Sequence, residues 1–211
     1  KSVQLAPQDA EAHSNLGVTL QELGRLDEAE ASCRQAIALK PDLAAAHYNL
    51  GVTLQDLGRL DEAQASYTQA IALKPDFAVA NNNLGVTLTE LGRLDEAEAS
   101  CRQAIALKPD YAEAHKNWGN TLRELGRFDE AETSYKKAIA LKPDYPEAHY
   151  SSGITLQELG RLEEAETSYT QAVALEPENI RAHNQLLTCL FMQDKKSVFF
   201  DELDYLINQD K

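Results

Sequence analysis

The chain has 211 residues, with 20 Lys and Arg against 34 Asp and Glu for a formal charge of −14, and 43% of its residues are hydrophobic. Ala, Leu and Glu dominate while Gly and Pro are scarce, which disfavours a collagen-like or disordered chain and an all-β fold and points to helices. So acidic a chain, with no Lys/Arg-rich run, is repelled by phosphate backbones and anionic lipid, so nucleic acid and membrane surfaces are poor partners for it.

The prolines Pro7, Pro41, Pro75, Pro109, Pro143 and Pro177 recur every 34 residues, with Pro146 alone out of register. The glycines agree: Gly17, Gly51, Gly85, Gly119 and Gly153 form one series and Gly24, Gly58, Gly92, Gly126 and Gly160 a second, seven residues later. A fixed period of this length marks a repeat protein.

In chain order, residues 1–9 match the tail of a preceding repeat's second helix; with Lys1 first and Met192 the single methionine, the chain reads as a segment of a longer array. Residues 10–179 hold five 34-residue units. Each unit predicts a first helix of about fourteen residues, started by an Asp such as Asp110 or Asp144 acting as cap, with Glu113 or Glu147 reaching back to it. Leu57-Gly58-Arg59 and its copies then supply a left-handed glycine, and Asp61-Glu62 and its copies place negative charge on the next helix's positive end. The second helix closes at Ala-Leu-Lys-Pro, where Pro prevents continuation. Apolar residues such as Leu50, Leu54, Leu60, Ala63, Tyr67 and Ala70 recur at three- and four-residue steps across both helices, a stripe that one hairpin cannot bury alone, so hairpins must stack. Gly51 and its copies, inside a helix, fit a place where two helices approach too closely for a side chain.

Residues 180–211 predict two closing helices. Arg181 to Gln193 resembles a sixth first helix, but Leu186-Leu187 replaces Leu-Gly and no Leu-Gly-Arg turn follows. A last helix over about Ser197 to Asn208 carries Val198, Phe199, Leu203, Leu206 and Ile207 on one face. These helices read as a cap for the core or as a docking surface for a further domain.

Cys33, Cys101 and Cys189 form no CxxC, so neither a disulfide framework nor a zinc motif is written here and a reducing, cytoplasmic location is expected. No apolar stretch approaches the ~20 residues that span a bilayer. His13, His47, His115, His149 and His183 share one slot in successive units. Helices 8–10 Å apart cannot bring them around one ion, so they predict interhelical packing rather than a metal site. No nucleophile–base pair, phosphate loop or metal motif appears, so no enzyme activity, metal or cofactor is expected.

The pattern resembles the tetratricopeptide repeat (TPR) family, on His47, Leu50, Gly51, Leu54, Ala63, Tyr67, Ala70 and Pro75 and their copies from Ala10 to Asn179. It departs from the family with His or Asn where Trp is common and with Cys33 and Cys101 where an aromatic is usual. The resemblance implies an all-α, right-handed superhelical solenoid of helix-turn-helix repeats whose first helices line a concave groove.

Asn15, Asn49, Asn83 and Asn117 recur once per unit, until Ser151 breaks the series. This column resembles the asparagine ladder in the repeat domain of O-linked N-acetylglucosamine transferase, where amides hold the backbone of an extended polypeptide. An amide offers donors and an acceptor, so it pairs with a peptide unit whatever the side chain. The competing reading has each Asn bonded to a neighbouring helix. Lys116 and Asn120 match the opening of the carboxylate clamp of TPR co-chaperones, but Ser151, Arg181 and Gln185 fill its later slots. Lys116, Asn120 and Arg123 still share one helical face and make a local basic spot.

The function expected is a scaffold binding an extended peptide or partner protein through Asn15, Asn49, Asn83, Asn117, Lys116, Asn120 and Arg123. Two alternatives stand beside it: the substrate-recognition arm of a larger enzyme such as a glycosyltransferase, and an element that self-associates end to end through its open first unit and Phe199/Phe200.

Overall fold

The structure is a computed structural model that describes residues 8–209. Among the described residues it contains helices α1 (Ala10–Glu22), α2 (Leu26–Leu39), α3 (Ala44–Asp56), α4 (Leu60–Leu73), α5 (Ala78–Glu90), α6 (Leu94–Leu107), α7 (Ala112–Glu124), α8 (Phe128–Leu141), α9 (Pro146–Glu158), α10 (Leu162–Leu175), α11 (Ile180–Met192) and α12 (Lys196–Gln209), and no strand. The second-helix tail expected over residues 1–9 lies, up to Pro7, outside the described residues; Asp9 is described and caps α1.

The helices fall into two compact units, residues 1–109 with α1–α6 and residues 110–211 with α7–α12. In each unit odd- and even-numbered helices pair as hairpins, and each second helix packs on the first helix of the next hairpin. Within each unit consecutive first helices also touch, whereas consecutive second helices of the same unit nowhere approach within 8 Å between Cα atoms among the described residues. Within each unit the first helices therefore lie on the inner side of the stack.

The turn inside each hairpin follows from its glycine. Gly58 has φ +72°, and the Arg59 and Gly58 amides donate to the Leu54 and Gln55 carbonyls at 2.9 Å each, which satisfies the orphan carbonyls of α3. Asp61 and Glu62 then occupy the first turn of α4. The turn between hairpins departs from expectation, because Asp110 and Asp144 do not cap. The N-cap residues are Tyr111 and Tyr145, without a side-chain cap bond, and their equivalents Leu43 and Phe77 donate backbone N–H to Lys40 and Lys74 carbonyls at 3.1 Å. Burial decides this: Tyr145 is 7% exposed and packs with Ala138 and Ala148, so the aromatic residue is drawn into the core and Asp is left in the preceding turn. Side-chain caps occur at Asp9, which accepts from the Glu11 and Ala12 amides, and at Asn179, which accepts from Ala182.

The helical glycines mark the closest approach within a hairpin. A Cβ on Gly51 would lie 2.6 Å from the Tyr67 ring, and one on Gly17 would lie 2.5 Å from Cys33 Sγ. Burial pushes the Cys33 thiol up to about 11, so this cysteine is an inert filler rather than a nucleophile.

Polar bonds tie successive hairpins together. Arg59 clamps Glu62 of its own hairpin at 2.7 Å and reaches back 2.6 Å to Glu30; Arg161 joins Glu164 and Glu132 in the same way. The histidines close the inter-hairpin turn: His47, His149 and His183 each donate from Nε2 to the carbonyl of Pro41, Pro143 or Pro177 at 2.9, 3.0 and 2.8 Å.

Residues 180–209 form a hairpin of the same build. Asp194, at φ 54°, stands where the other turns have glycine, and the Lys195 amide donates to Leu190 at 3.1 Å as Arg59 does to Leu54. Lys195 also continues the arginine series with a 2.5 Å bond to Glu166. The apolar face expected on α12 is rotated from that reading. Phe199 packs onto Leu186, Cys189 and Leu190, while Val198 and Ile207 are 47% and 52% exposed. Buried His183 also bonds Glu202 and stacks on Tyr205 at 5.5 Å, which selects the face that turns inward.

Two substitutions test these turns and contacts. Gly51→Ala should cost about 1–3 kcal/mol, because Tyr67 cannot retreat within a filled core, whereas Asp194→Gly should gain up to about 1 kcal/mol by relieving a left-handed non-glycine residue. Urea denaturation of the variants and the parent reads both.

Candidate peptide-binding face

In the first unit the inner face is built from α1, α3 and α5. Side chains one position before the asparagine column, Ser14 and Tyr48, point to the next hairpin and meet the amides there. Asn49 Nδ2 donates to Ser14 Oγ at 3.0 Å, and Asn83 Nδ2 donates to Tyr48 Oη at 3.2 Å. Asn83 also accepts from Asn82 at 3.2 Å. These partners lie 35 residues apart, a step of one period plus one.

The four amides therefore differ. Asn15 is exposed and Asn49 is half-buried, and Asn49 keeps a second N–H and a carbonyl oxygen beyond its bond to Ser14. Asn83 has both donor and acceptor engaged within the protein. In the second unit, Asn117 is buried.

Around Asn49 the face opens into a groove of about 180 Å³ lined by Val18, Gln21, Tyr48, Val52 and Thr53. Its chemistry is mixed. Val18 and Val52 supply apolar walls, the Tyr48 ring is held against Phe77 at 5.0 Å and Tyr67 at 5.9 Å, and Gln21 is fixed by a 2.7 Å bond to Asp56. Such a surface suits an uncharged chain that brings alternating apolar and amide groups.

In the second unit Lys116, Asn120 and Arg123 all lie on α7, as the spacing predicts. Each is held by a different neighbour. The Lys116 ammonium sits 5.9 Å from the Tyr145 ring centroid, Asn120 Oδ1 accepts from Tyr135 Oη at 2.8 Å, and Arg123 reaches Glu124 at 3.1 Å. Burial lowers the Lys116 pKa, and the nearby Glu113 and Glu147 charges oppose that shift. The phenol of Tyr135 is pushed up to about 12 by burial, so it stays a neutral donor to Asn120. Among the described residues no group of three or more His, Cys, Asp or Glu could hold a metal, and no helix is long and apolar enough to cross a membrane.

Stacked helix hairpins with an inner face of this kind define an α-solenoid repeat protein. Models described as "Tetratricopeptide repeat" match residues 8–76, 48–112 and 146–179, and one described as "TPR repeat" matches residues 119–160. The chain belongs to the tetratricopeptide repeat family. No curated protein sequence matches it. Among solved structures, PilW, a widely conserved type IV pilus biogenesis factor, is 24% identical over 92% of this chain and 90% of its own, with a TM-score of 0.84. TTC0263, a thermophilic TPR protein of Thermus thermophilus, is 27% identical over 86% of this chain and 99% of its own, with a TM-score of 0.72. YrrB, a TPR protein with an unusual peptide-binding site, is 23% identical over 86% and 94%, with a TM-score of 0.67.

A base whose pKa is lowered on folding destabilises the fold while it is charged, and that cost is relieved as pH rises through the folded value. Lys116→Met should therefore raise the melting temperature at pH 7, with the gain shrinking as pH approaches the ordinary lysine range. Thermal denaturation at pH 7 and pH 10 measures the difference.

Proposed function

We propose that the chain is a non-catalytic scaffold that binds an extended peptide on its inner, first-helix face. The observation that carries this is the groove at Asn49, where an uncommitted amide edge lies between valine walls and a fixed tyrosine. In the first unit, helices spaced by about 10 Å match about three residues of extended chain at ~3.3 Å each. Asn15 and Asn49 would hold the ligand's backbone, with Asn83 contributing where a ligand displaces Tyr48 or Asn82. In the second unit Lys116, with Asn120 and Arg123, is the place for a ligand carboxylate, and Asn117, on the same helix, continues the column. Family membership supports partner binding in general. Three buried cysteines outside any disulfide fit a reducing, cytoplasmic setting.

Peptides selected by display against the wild-type chain provide the test. Asn49→Ala should weaken a selected peptide about fivefold, the worth of one neutral hydrogen bond, beside a small fall in melting temperature from the lost bond to Ser14. An unchanged Kd together with a lowered melting temperature would assign the column to interhelical bonding and sink the peptide reading.

A second reading, self-association, is favoured by Phe191, Met192 and Phe200, which are 76%, 54% and 58% exposed on α11 and α12. Phe199, paired with Phe200 in the sequence reading, is turned into the core. Light scattering should show a mass that rises with concentration and that Phe200→Ser reverts to monomer; a constant monomer mass rejects this reading.

A further inference from the structure

The seventh position of each first helix is bulky in five hairpins, as Leu16, Leu50, Leu84, Trp118 and Leu186, and is Ser152 in α9. At Leu50 and Leu186 the leucine fills the trench toward the preceding hairpin, against Cys33 and Tyr169 respectively. Leu50 and Leu186 are each 5% exposed and pack with Tyr67 and Tyr169 respectively. At Ser152 the trench stays open as a cavity of about 300 Å³ between α8 and α10, with Ile139 and Leu156 among its walls.

Three features of this cavity constrain its occupant. First, Ser152 is 3% exposed and lines the cavity, yet its hydroxyl has no hydrogen-bond partner among the described residues, so the floor presents an unspent donor and acceptor. Second, the charges at the rim cancel. Glu132 is bonded by Lys136 and Arg161 at 2.8 Å each, and Glu164 is bonded by Arg161 at 2.5 Å. A charged occupant gains nothing there. Third, most of the lining surface is apolar, from Ile139, Leu156 and the carbon stems of polar neighbours such as Lys136 and Gln171, and the volume is at the lower end of ligand pockets, which suits an apolar body with a hydroxyl tip. Among amino-acid side chains, tyrosine has that build.

We propose that the trench over Ser152 is a docking site for a tyrosine side chain of a partner polypeptide, with the ring between Ile139 and Leu156 and the phenol on the Ser152 hydroxyl. It opens on the second-helix side, so it is separate from the inner face discussed above and does not depend on that reading.

The test uses N-acetyl-L-tyrosinamide as probe, followed by amide NMR shifts of the full chain. Shifts should centre on Ser152 and Ile139, and N-acetyl-L-phenylalaninamide should bind about fivefold more weakly, the loss of one neutral hydrogen bond. Ser152→Ala should equalise the two probes. Ser152→Leu should abolish both while keeping or raising the melting temperature, because it restores the residue used in the other hairpins; Ser152→Val serves if that variant does not fold. Shifts elsewhere, equal binding of both probes to the wild type, or undiminished binding to Ser152→Leu would overturn the proposal.

Discussion

The contact on which the structure depends is the one between the helical glycine of each hairpin and the side chain that faces it, Gly51 against Tyr67 or Gly17 against Cys33. With no Cβ in the way, the two helices close until the facing residue is fully buried, as Cys33, Tyr67, Cys101, Tyr135 and Tyr169 are. That closeness fixes the hairpin and leaves its apolar stripe on the edges, where only another hairpin can cover it. The filler can be large or small. Tyrosine adds a hydroxyl that reaches across to Gln55, Asn120 or Gln157, whereas cysteine is the smaller filler.

Apolar edges make stacking favourable but do not by themselves set the register between hairpins. Directional bonds do that at separate places: arginine to the preceding second helix, histidine to the proline carbonyl of the turn, and asparagine to the preceding first helix. Exposed ion pairs such as Arg25 with Glu28 add little stability. Glu132 differs because it is buried. Desolvation alone would raise its pKa, yet hydrogen bonds from Lys136 and Arg161 hold the carboxyl below its ordinary value. The acids that dominate the net charge thus include a subset that aligns one hairpin on the next.

Period, helix pairs and both glycine series were legible in the sequence because each is a repeated local choice. Three features were not. The cap expected from Asp110 and Asp144 does not form; Tyr111 and Tyr145 take the N-cap position without a side-chain bond, and at Tyr145 burial outweighs a cap worth about 1 kcal/mol. The turn of the last hairpin was hidden because Asp194 and Lys195 replace Gly and Arg while keeping the same backbone path. The partners of the asparagine column were also concealed, because they lie one residue before it in the preceding repeat. Ser152 was visible as a letter. That it empties a trench depends on α8 and α10 standing apart there.

These observations divide the 34 positions by what a substitution would meet. Positions that hold the hairpin, such as Gly51 and Ala63, face buried atoms and cannot change without a clash. The position of Ser14, Tyr48, Asn82, Lys116 and Tyr150 faces inward across the first helices, and its residues share no chemistry. A scaffold has no need of that variety, and Lys116 is costly there, since burial disfavours its charge. A desolvated cation kept beside an aromatic ring has its strongest interaction available to an incoming anion, because the water that would compete has already been displaced. In the proposed function that cost is recovered when a ligand carboxylate reaches Lys116.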